Sequence, residues 1–215
     1  MTCKALIFDL DGTLLNTLAD ITSVTNQALA SVGYPPRTVD DILSYIGNGG
    51  LHLVEQAVPA GADPSIVAHV YDSWKMLYAA YGDRTTEPFP GVLQTLTQLK
   101  ARGIKLGLLS NKYENLVQML VDKHFPGLFD VAHGERPGIA RKPAPDGLLA
   151  VVDELGLQRS EVAYVGDSLP DILASTAAGI YLIGVSWGFG GQAFREDPRI
   201  NTLIMSPVQL LDFVG

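Results

Sequence analysis

Two carboxylates that could do chemistry, those of Asp9 and Asp11, stand two residues apart directly after the apolar run of residues 5–8. A short apolar run of this kind predicts a buried parallel strand, and ligands bind at the carboxyl ends of the strands in open α/β sheets. Gly12 allows a tight backbone turn at that point. One carboxylate can attack a phosphorus atom while its neighbour handles the proton of the leaving group. A strand that runs into an Asp-Gly turn is also common without any chemistry, so the pair needs support from the rest of the chain.

Further polar groups follow apolar segments later in the chain: Ser110 with Asn111, Lys142, and Asp167 with Asp171. Because the carboxyl ends of parallel strands lie along one edge of a sheet, these side chains can converge with the first two aspartates. Each group also has an ordinary interpretation when it is taken alone. Ser110 and Asn111 are typical of a helix N-cap. Lys142 would be a solvated surface residue, and Asp167 would cap the following helix. These interpretations weaken because all the groups must coincide at matching strand ends.

Two kinds of apolar periodicity predict the elements that position these groups. Residues 16–85 show helical spacing and no strand pattern, and Gly47-Asn48-Gly49-Gly50 is interpreted there as a loop between helices. From residue 88 onward, strands alternate with helices. Strands are predicted at residues 104–109, 129–132, 162–165, 181–185 and, more weakly, 202–205, and a closing helix at residues 207–213. This alternation predicts an α/β fold with a doubly wound, mainly parallel sheet.

The composition restricts the class of protein. The chain has 215 residues, of which 47% are hydrophobic and 18% are charged, as is typical of a globular protein with one core or a core plus an insert. A formal charge of −8 argues against a nucleic-acid partner. Cys3 is the only cysteine, which excludes an intrachain disulfide and favours a reducing cytosol. With no evident leader and no apolar run of ~20 residues, we expect a cytoplasmic protein without a membrane partner.

Four short motifs resemble those of the haloacid dehalogenase superfamily. They are Asp-x-Asp-Gly-Thr at residues 9–13, Ser-Asn-Lys at 110–112, Arg-Lys-Pro-x-Pro at 141–145 and Gly-Asp-Ser-x-x-Asp at 166–171. All four occur in the order and at the spacing of that family, and together they cover essentially the whole chain. The chain therefore looks like a phosphatase of this superfamily.

The resemblance implies a division of labour among the acids. Asp9 would be the nucleophile that forms an aspartyl-phosphate, and Asp11 would be the general acid and then the general base. Because a carboxylate and a phosphate dianion repel each other, the site needs a cation, and Mg²⁺ suits oxygen ligands. The expected ligands are Asp9, the backbone carbonyl of Asp11, and Asp167. Ser168 and Asp171 would support those ligands from the next layer of side chains, or Asp171 would reach the metal through a water molecule.

The resemblance also implies which groups bind the transferring phosphoryl group. The hydroxyl of Ser110 and the backbone N–H of Asn111 would hold its oxygens. Gly12 and Thr13 would add further N–H donors from the turn after the first strand. Lys142 would place its ammonium against the charge that develops in the transition state.

The expected architecture is a Rossmann-like catalytic core interrupted by a helical cap domain. Residues 1–15 and 86–215 would form the core and residues 16–85 the cap, with hinges near Leu15 and Thr86. Closure of such a cap would exclude water and deliver groups that select the substrate. In the branch that resembles phosphoglycolate phosphatases, a Gly-Asn-Gly run in the cap faces the site, which makes Gly47, Asn48 and Gly49 candidates for specificity. We therefore expect hydrolysis of a small phosphorylated metabolite, with phosphoglycolate as the leading candidate.

Other functions remain open on the sequence alone. A phosphosugar mutase of the β-phosphoglucomutase type shares nearly the same motifs and would return the phosphoryl group to a sugar rather than to water. A haloacid dehalogenase is less favoured because Asp11 supplies proton transfer that phosphate chemistry needs and dehalogenation lacks. A non-catalytic regulatory protein is disfavoured because every catalytic position holds a competent residue.

Overall fold

The computed structural model describes residues 2–215, which divide into two units. The first unit comprises residues 2–15 and Pro88–Gly215, and the second comprises Asn16–Glu87. The strands are β1 (Ala5–Phe8), β2 (Leu15–Asn16), β3 (Glu87–Pro88), β4 (Lys105–Tyr113), β5 (Val131–Glu135), β6 (Val162–Gly166), β7 (Tyr181–Val185) and β8 (Thr202–Ile204). The helices are α1 (Leu18–Ala30), α2 (Val39–Tyr45), α3 (Gly49–Ala57), α4 (Pro64–Tyr81), α5 (Val92–Ala101), α6 (Glu114–His124), α7 (Asp146–Glu154), α8 (Leu169–Ala178) and α9 (Gly191–Arg195). The chain passes between the units through β2 and β3, which pair with each other.

Within residues 2–215, six strands of the first unit form one sheet in the order β5-β4-β1-β6-β7-β8. Every neighbouring pair is parallel. The chain winds outward from β1 to β5 and then returns to β6 on the other side of β1. The carboxyl ends of β1 and β6 therefore flank the point where the winding reverses, which is where open α/β sheets bind ligands.

Helices cover both faces of this sheet. Alternate residues of a strand point to opposite faces, and all four residues of β1 are buried. Leu6 and Phe8 belong to an apolar cluster that includes residues of α5 and α6, whereas Ala5 and Ile7 belong to a cluster that includes residues of α7 and α8. The prediction of a doubly wound parallel sheet is confirmed.

The second unit consists mainly of the helices α1 to α4. Thr38 and Asp41 form a capping box at the start of α2, and Asp63 caps α4 by accepting a hydrogen bond from the backbone N–H of Ser65. The indole N–H of Trp74 on α4 donates to the hydroxyl of Thr25 on α1 at 3.0 Å. Among the helices of residues 2–215, none combines the length and the apolar character required to cross a bilayer.

Several element boundaries differ from those predicted from the sequence. β4 continues to Tyr113 instead of ending at residue 109, and its pairing with β5 shifts register between Leu109 and Tyr113. β5 begins at Val131, two residues later than predicted, and the ring of Phe129 before it packs edge-on against Phe8 and Phe125. The predicted loop at residues 47–50 is shorter, since α3 begins at Gly49. The closing segment Pro207–Phe213 is a 3-10 helix.

Candidate active site

A buried ammonium, that of Lys142, connects groups from three neighbouring strands. The side chain is 2% exposed, and its Nζ lies 2.9 Å from Oδ1 of Asp9 and 2.7 Å from Oδ1 of Asp171. It also donates to the hydroxyl of Tyr164 at 2.8 Å and to the backbone carbonyl of Leu109 at 3.3 Å. Burial alone would lower the pKa of Lys142, but the carboxylates of Asp171 and Asp9 outweigh that effect and raise this pKa above its usual value. The ordinary interpretation of this residue as a solvated surface lysine is therefore wrong.

Two of the three carboxylates in this cluster, those of Asp9 and Asp171, contact the ammonium of Lys142 directly. Asp9, Asp167 and Asp171 are buried, and each offers one oxygen within 4.8 Å of the other two. Burial raises the pKa of Asp9 to about 7, since the attraction of Lys142 only partly offsets the loss of hydration and Asp171 adds repulsion. Burial, Asp9 and Asp171 raise the pKa of Asp167 well above its usual value. When ionised, the three carboxylates carry more negative charge than one lysine can balance, and an all-oxygen donor set with that charge fits a hard divalent cation.

The carboxylate of Asp167, which follows β6, is held between two loops. Its Oδ1 accepts a hydrogen bond from the hydroxyl of Thr13 at 2.7 Å, and its Oδ2 accepts one from the backbone N–H of Phe189 at 2.7 Å. Gly12 has a φ of +88°, and a Cβ added there would collide with Oδ2 of Asp167; a Cβ on Gly188 would collide with the same side chain. Glycine is therefore required where the β1 turn and the loop after β7 approach this carboxylate.

The side chain of Asp171 serves two structures with its two oxygens. Oδ2 accepts hydrogen bonds from the backbone N–H groups of Ser168 at 2.9 Å and Asp167 at 3.2 Å, and it completes the capping box of α8 with Ser168. Oδ1 accepts hydrogen bonds from Lys142 and from the hydroxyl of Tyr164, at 2.7 and 2.9 Å. Ser168 rather than Asp167 occupies the N-cap position, so the ordinary interpretation of Asp167 as a helix cap is wrong.

Asp11 forms a separate ion pair. Both of its carboxylate oxygens lie close to Nζ of Lys112, at 2.9 and 3.0 Å. The side chains are 14% and 3% exposed, respectively. The two aspartates after β1 therefore each face their own lysine.

Ser110 and Asn111 lie within β4 and not at a helix N-cap, a position that Tyr113 takes for α6. The hydroxyl oxygen of Ser110 accepts a hydrogen bond from the backbone N–H of Lys112 at 3.1 Å. The side-chain amide of Asn111 donates to the backbone carbonyl of Lys142 at 2.7 Å. The end of β4 and the Lys142 segment are thus joined directly.

The structure gathers the groups that the sequence placed at strand ends of the first unit. Hydrogen bonds and ion pairs connect them as described: Asp9, Asp11, Thr13, Ser110, Asn111, Lys142, Asp167, Ser168 and Asp171, with Gly12 against Asp167. Gly47, Asn48 and Gly49 belong to the second unit, at the start of α3.

Sequence reasoning did not assign three residues that contact this cluster, namely Lys112, Tyr164 and Phe189. Lys112 stands inside the Ser-Asn-Lys motif, which was a usable signal. Tyr164 is an apolar-strand residue with a hydroxyl, and buried tyrosines usually have a hydrogen-bond partner. Phe189 contributes a backbone N–H, which its residue type does not reveal.

Comparisons with known proteins agree on one family. The family described as haloacid dehalogenase-like hydrolase matches residues 6–185. Phosphoglycolate phosphatase 1 of Pseudomonas aeruginosa is 33% identical over 200 residues, which span 90% of this chain and 74% of that protein. Phosphoglycolate phosphatase of Yersinia pseudotuberculosis is 34% identical over 190 residues, 86% of this chain and 82% of that protein. A crystal structure from Lactobacillus delbrueckii subsp. bulgaricus, described as a candidate phosphoglycolate phosphatase, has a TM-score of 0.92 and 34% identity and covers 100% of both chains.

The contact of Gly12 with Asp167 is testable by adding one methyl group. Gly12→Ala should lower the free energy of unfolding by about 2–4 kcal/mol, because it combines an unfavourable positive φ with a collision in a packed site. Gly103→Ala is the matched control: its φ is +77°, and a Cβ there meets no atom within 4 Å. It should cost about 1 kcal/mol. Equal costs for the two variants, measured by urea unfolding, would show that the turn does not press against Asp167.

Proposed function

The chain belongs to the haloacid dehalogenase-like hydrolase family, and on that premise we propose that it hydrolyses a small phosphomonoester, with phosphoglycolate as the leading candidate. The prediction that the chain is an enzyme, a phosphoric monoester hydrolase, is confirmed. Two relatives named as phosphoglycolate phosphatases match 90% and 86% of the chain. The observation that carries the proposed mechanism is the buried cluster in which Asp9 faces Lys142 and lies beside Asp167.

Asp9 is the proposed nucleophile. Its Oδ1 accepts a hydrogen bond from Lys142, so attack on phosphorus falls to Oδ2. A bond forms between that oxygen and phosphorus while the bond from phosphorus to the leaving alcohol oxygen breaks. The product is an aspartyl-phosphate, which divides the displacement into two easier steps.

Asp11 is the proposed proton carrier for both steps. In its acid form it gives a proton to the leaving oxygen, so that the alcohol departs neutral. In its ionised form it then takes a proton from the water that attacks the aspartyl-phosphate, which releases inorganic phosphate and restores Asp9. Its partly exposed carboxylate, 14% accessible, suits exchange with substrate and water.

The groups proposed to bind the phosphoryl oxygens are the ammonium of Lys142, the hydroxyl of Ser110 and the backbone N–H groups of Asn111 and Thr13. The ammonium stabilises the charge that develops as the bonds exchange. The N–H of Gly12 already donates to the carbonyl of Leu15 at 2.9 Å. We therefore do not propose Gly12 as a donor to the phosphoryl group. Its role is steric, because the absence of a side chain leaves room for Asp167 beside the turn.

The donor set at this site supports Mg²⁺ as the metal. Asp9, Asp167 and the backbone carbonyl of Asp11 would hold it, with Asp171 and Ser168 supporting those ligands. When bound, the ion would neutralise the phosphate dianion and so permit a carboxylate to approach it. We also propose that residues 16–85 act as the cap that selects the substrate, with hinges near Leu15 and Thr86 and with Gly47, Asn48 and Gly49 as specificity candidates.

A panel of small phosphorylated metabolites tests the reaction and its substrate. With Mg²⁺ present, inorganic phosphate should be released steadily, with the highest kcat/KM for phosphoglycolate. Formation of an isomerised sugar phosphate without net phosphate release would identify a mutase instead. Absence of turnover on every member of the panel and on 4-nitrophenyl phosphate would overturn the proposed hydrolysis of a small phosphomonoester.

Replacement of the nucleophile tests the mechanism. Asp9→Asn should lower kcat by at least about 10⁴-fold, since the amide cannot form the covalent intermediate, while the circular dichroism spectrum stays that of the wild type. Asp153→Asn removes an exposed carboxylate of α7 and should leave kcat unchanged. Substantial phosphatase activity in Asp9→Asn would refute the assigned nucleophile.

The excess of carboxylates predicts a pH-dependent stabilisation by metal. Because the pKa of Asp9 rises from 3.8 to about 7 on folding, the metal-free folded protein binds a proton that the unfolded chain releases, and its free energy of unfolding falls as pH rises through that interval. Mg²⁺ needs the ionised carboxylates, so its stabilising effect should grow in the same direction. At pH 8, a concentration of 100 Kd should stabilise the protein by about 2.7 kcal/mol.

Thermal unfolding with and without MgCl₂ at pH 5.5 and pH 8 measures this effect, with NaCl at equal ionic strength as the control. The shift in Tm should be larger at pH 8, and Asp167→Asn should reduce it. A shift that is equal at both pH values would contradict a site built from these carboxylates.

A further inference from the structure

The ammonium of Lys112 contacts both oxygens of Asp11, at 2.9 and 3.0 Å, and is itself 3% exposed. We infer that Lys112 is a positioning residue: it aims the carboxylate of Asp11 for proton transfer to the leaving oxygen and from the attacking water. The inference rests on the proposed function, in which Asp11 carries that proton.

The sheet brings these two residues together from far apart in the sequence. Phe8 of β1 pairs in register with Leu108 of β4, so Asp11 follows three residues after the end of this pairing and Lys112 four residues after it, near the carboxyl end of β4. The lysine side chain therefore has to reach only to the neighbouring chain segment to meet the carboxylate. This geometry explains why the lysine comes from the Ser-Asn-Lys motif and not from a surface loop.

The segment that carries Lys112 is fixed at its backbone. The N–H of Lys112 donates to the hydroxyl of Ser110, and the neighbouring Asn111 is bonded to the backbone carbonyl of Lys142. Because the backbone of Lys112 is fixed and its side chain is buried, the ammonium can hold the carboxylate of Asp11 in one position. Asp11, in contrast, stands in a turn and has rotatable bonds that must be restrained if its oxygens are to point at the reacting atoms.

The contact is compatible with both forms of Asp11. When Asp11 is ionised, its two oxygens accept from the ammonium, which has three N–H donors. When one oxygen carries the proton, the other can still accept from Nζ, and the carboxyl group stays aligned. Lys112 can therefore hold Asp11 through both proton transfers without leaving its place.

A direct role in phosphate binding is the competing explanation for this lysine. The ammonium that contacts the proposed nucleophile is that of Lys142, which forms an ion pair with Asp9. Nζ of Lys112 forms an ion pair with Asp11 instead. The charge of Lys112 is thus placed at the proton carrier rather than at the nucleophile. The two explanations predict different changes in kcat/KM for different substrates when the lysine is replaced.

Lys112→Met tests this difference through the leaving group. The parameter kcat/KM includes events only up to departure of the leaving group, and 4-nitrophenolate departs without a proton whereas an alkoxide does not. For the alkyl phosphate that the wild type hydrolyses best, kcat/KM should fall on the order of 100-fold, the size of a general-acid contribution. For 4-nitrophenyl phosphate it should change by less than about threefold. Lys112→Gln, which keeps an N–H donor, serves as the second variant if the methionine variant does not fold.

The matched control is Lys100→Met. Lys100 also meets both oxygens of one aspartate, Asp130, at 2.8 and 2.8 Å, but Asp130 precedes β5 and so stands at the opposite edge of the sheet from the site. Its removal should leave both kcat/KM values unchanged. A double-mutant cycle adds a second readout: in the Asp11→Asn background, Lys112→Met should cost less than about threefold on the alkyl phosphate, because the group it positions is gone.

Equal losses on the two substrates, or the same loss in both backgrounds, would overturn the inference and assign Lys112 to phosphate binding or to folding. The wild type reports separately on the proposed function. An inactive wild type is a failure of the proposed phosphatase, whereas an active wild type with an unselective Lys112→Met is a failure of the positioning role alone.

Discussion

A single buried ammonium, shared among carboxylates that belong to different parts of the chain, is the constraint on which the site depends. Lys142 forms ion pairs with Asp9, which follows β1, and with Asp171 on α8. Removing a buried charge from such a cluster would leave the opposite charges without compensation, at a cost of about 3–5 kcal/mol. The sheet order places these groups within reach, and the ammonium keeps them there despite their mutual repulsion.

The two aspartates of the first motif differ because their surroundings differ. Asp9 is 7% exposed and lies among other carboxylates, which raises its pKa. Asp11 projects from the turn and meets Lys112. Two acids separated by one residue can therefore take different roles, one as nucleophile and one as proton carrier, in the way that neighbouring acids with unlike environments do in other enzymes.

Much of the fold could be predicted from the sequence because its signals are local. The apolar run before Asp9, the helical spacing of residues 16–85 and the alternation after residue 88 each depend on neighbouring residues in the chain. The end of β4 could not be predicted, since Ser110 to Lys112 are polar residues whose hydrogen bonds and ion pair with distant segments are not visible in the sequence. The role of Phe129 was likewise hidden, because an apolar residue in a strand and one in an aromatic cluster look the same in a sequence. Contacts made by a backbone N–H, such as that of Phe189, leave no trace in residue type.

The divided carboxylate of Asp171 links the integrity of a helix to the electrostatics of the cluster. One oxygen closes the first turn of α8 and the other holds Lys142, so fraying of that turn would also release the lysine. In a survey of random variants, substitutions in α8 at positions that contact no ligand would then lower activity in the same way as substitutions of the site residues themselves. Sensitivity to mutation would spread outward along this helix, and a map of such sensitivity would overstate the size of the site.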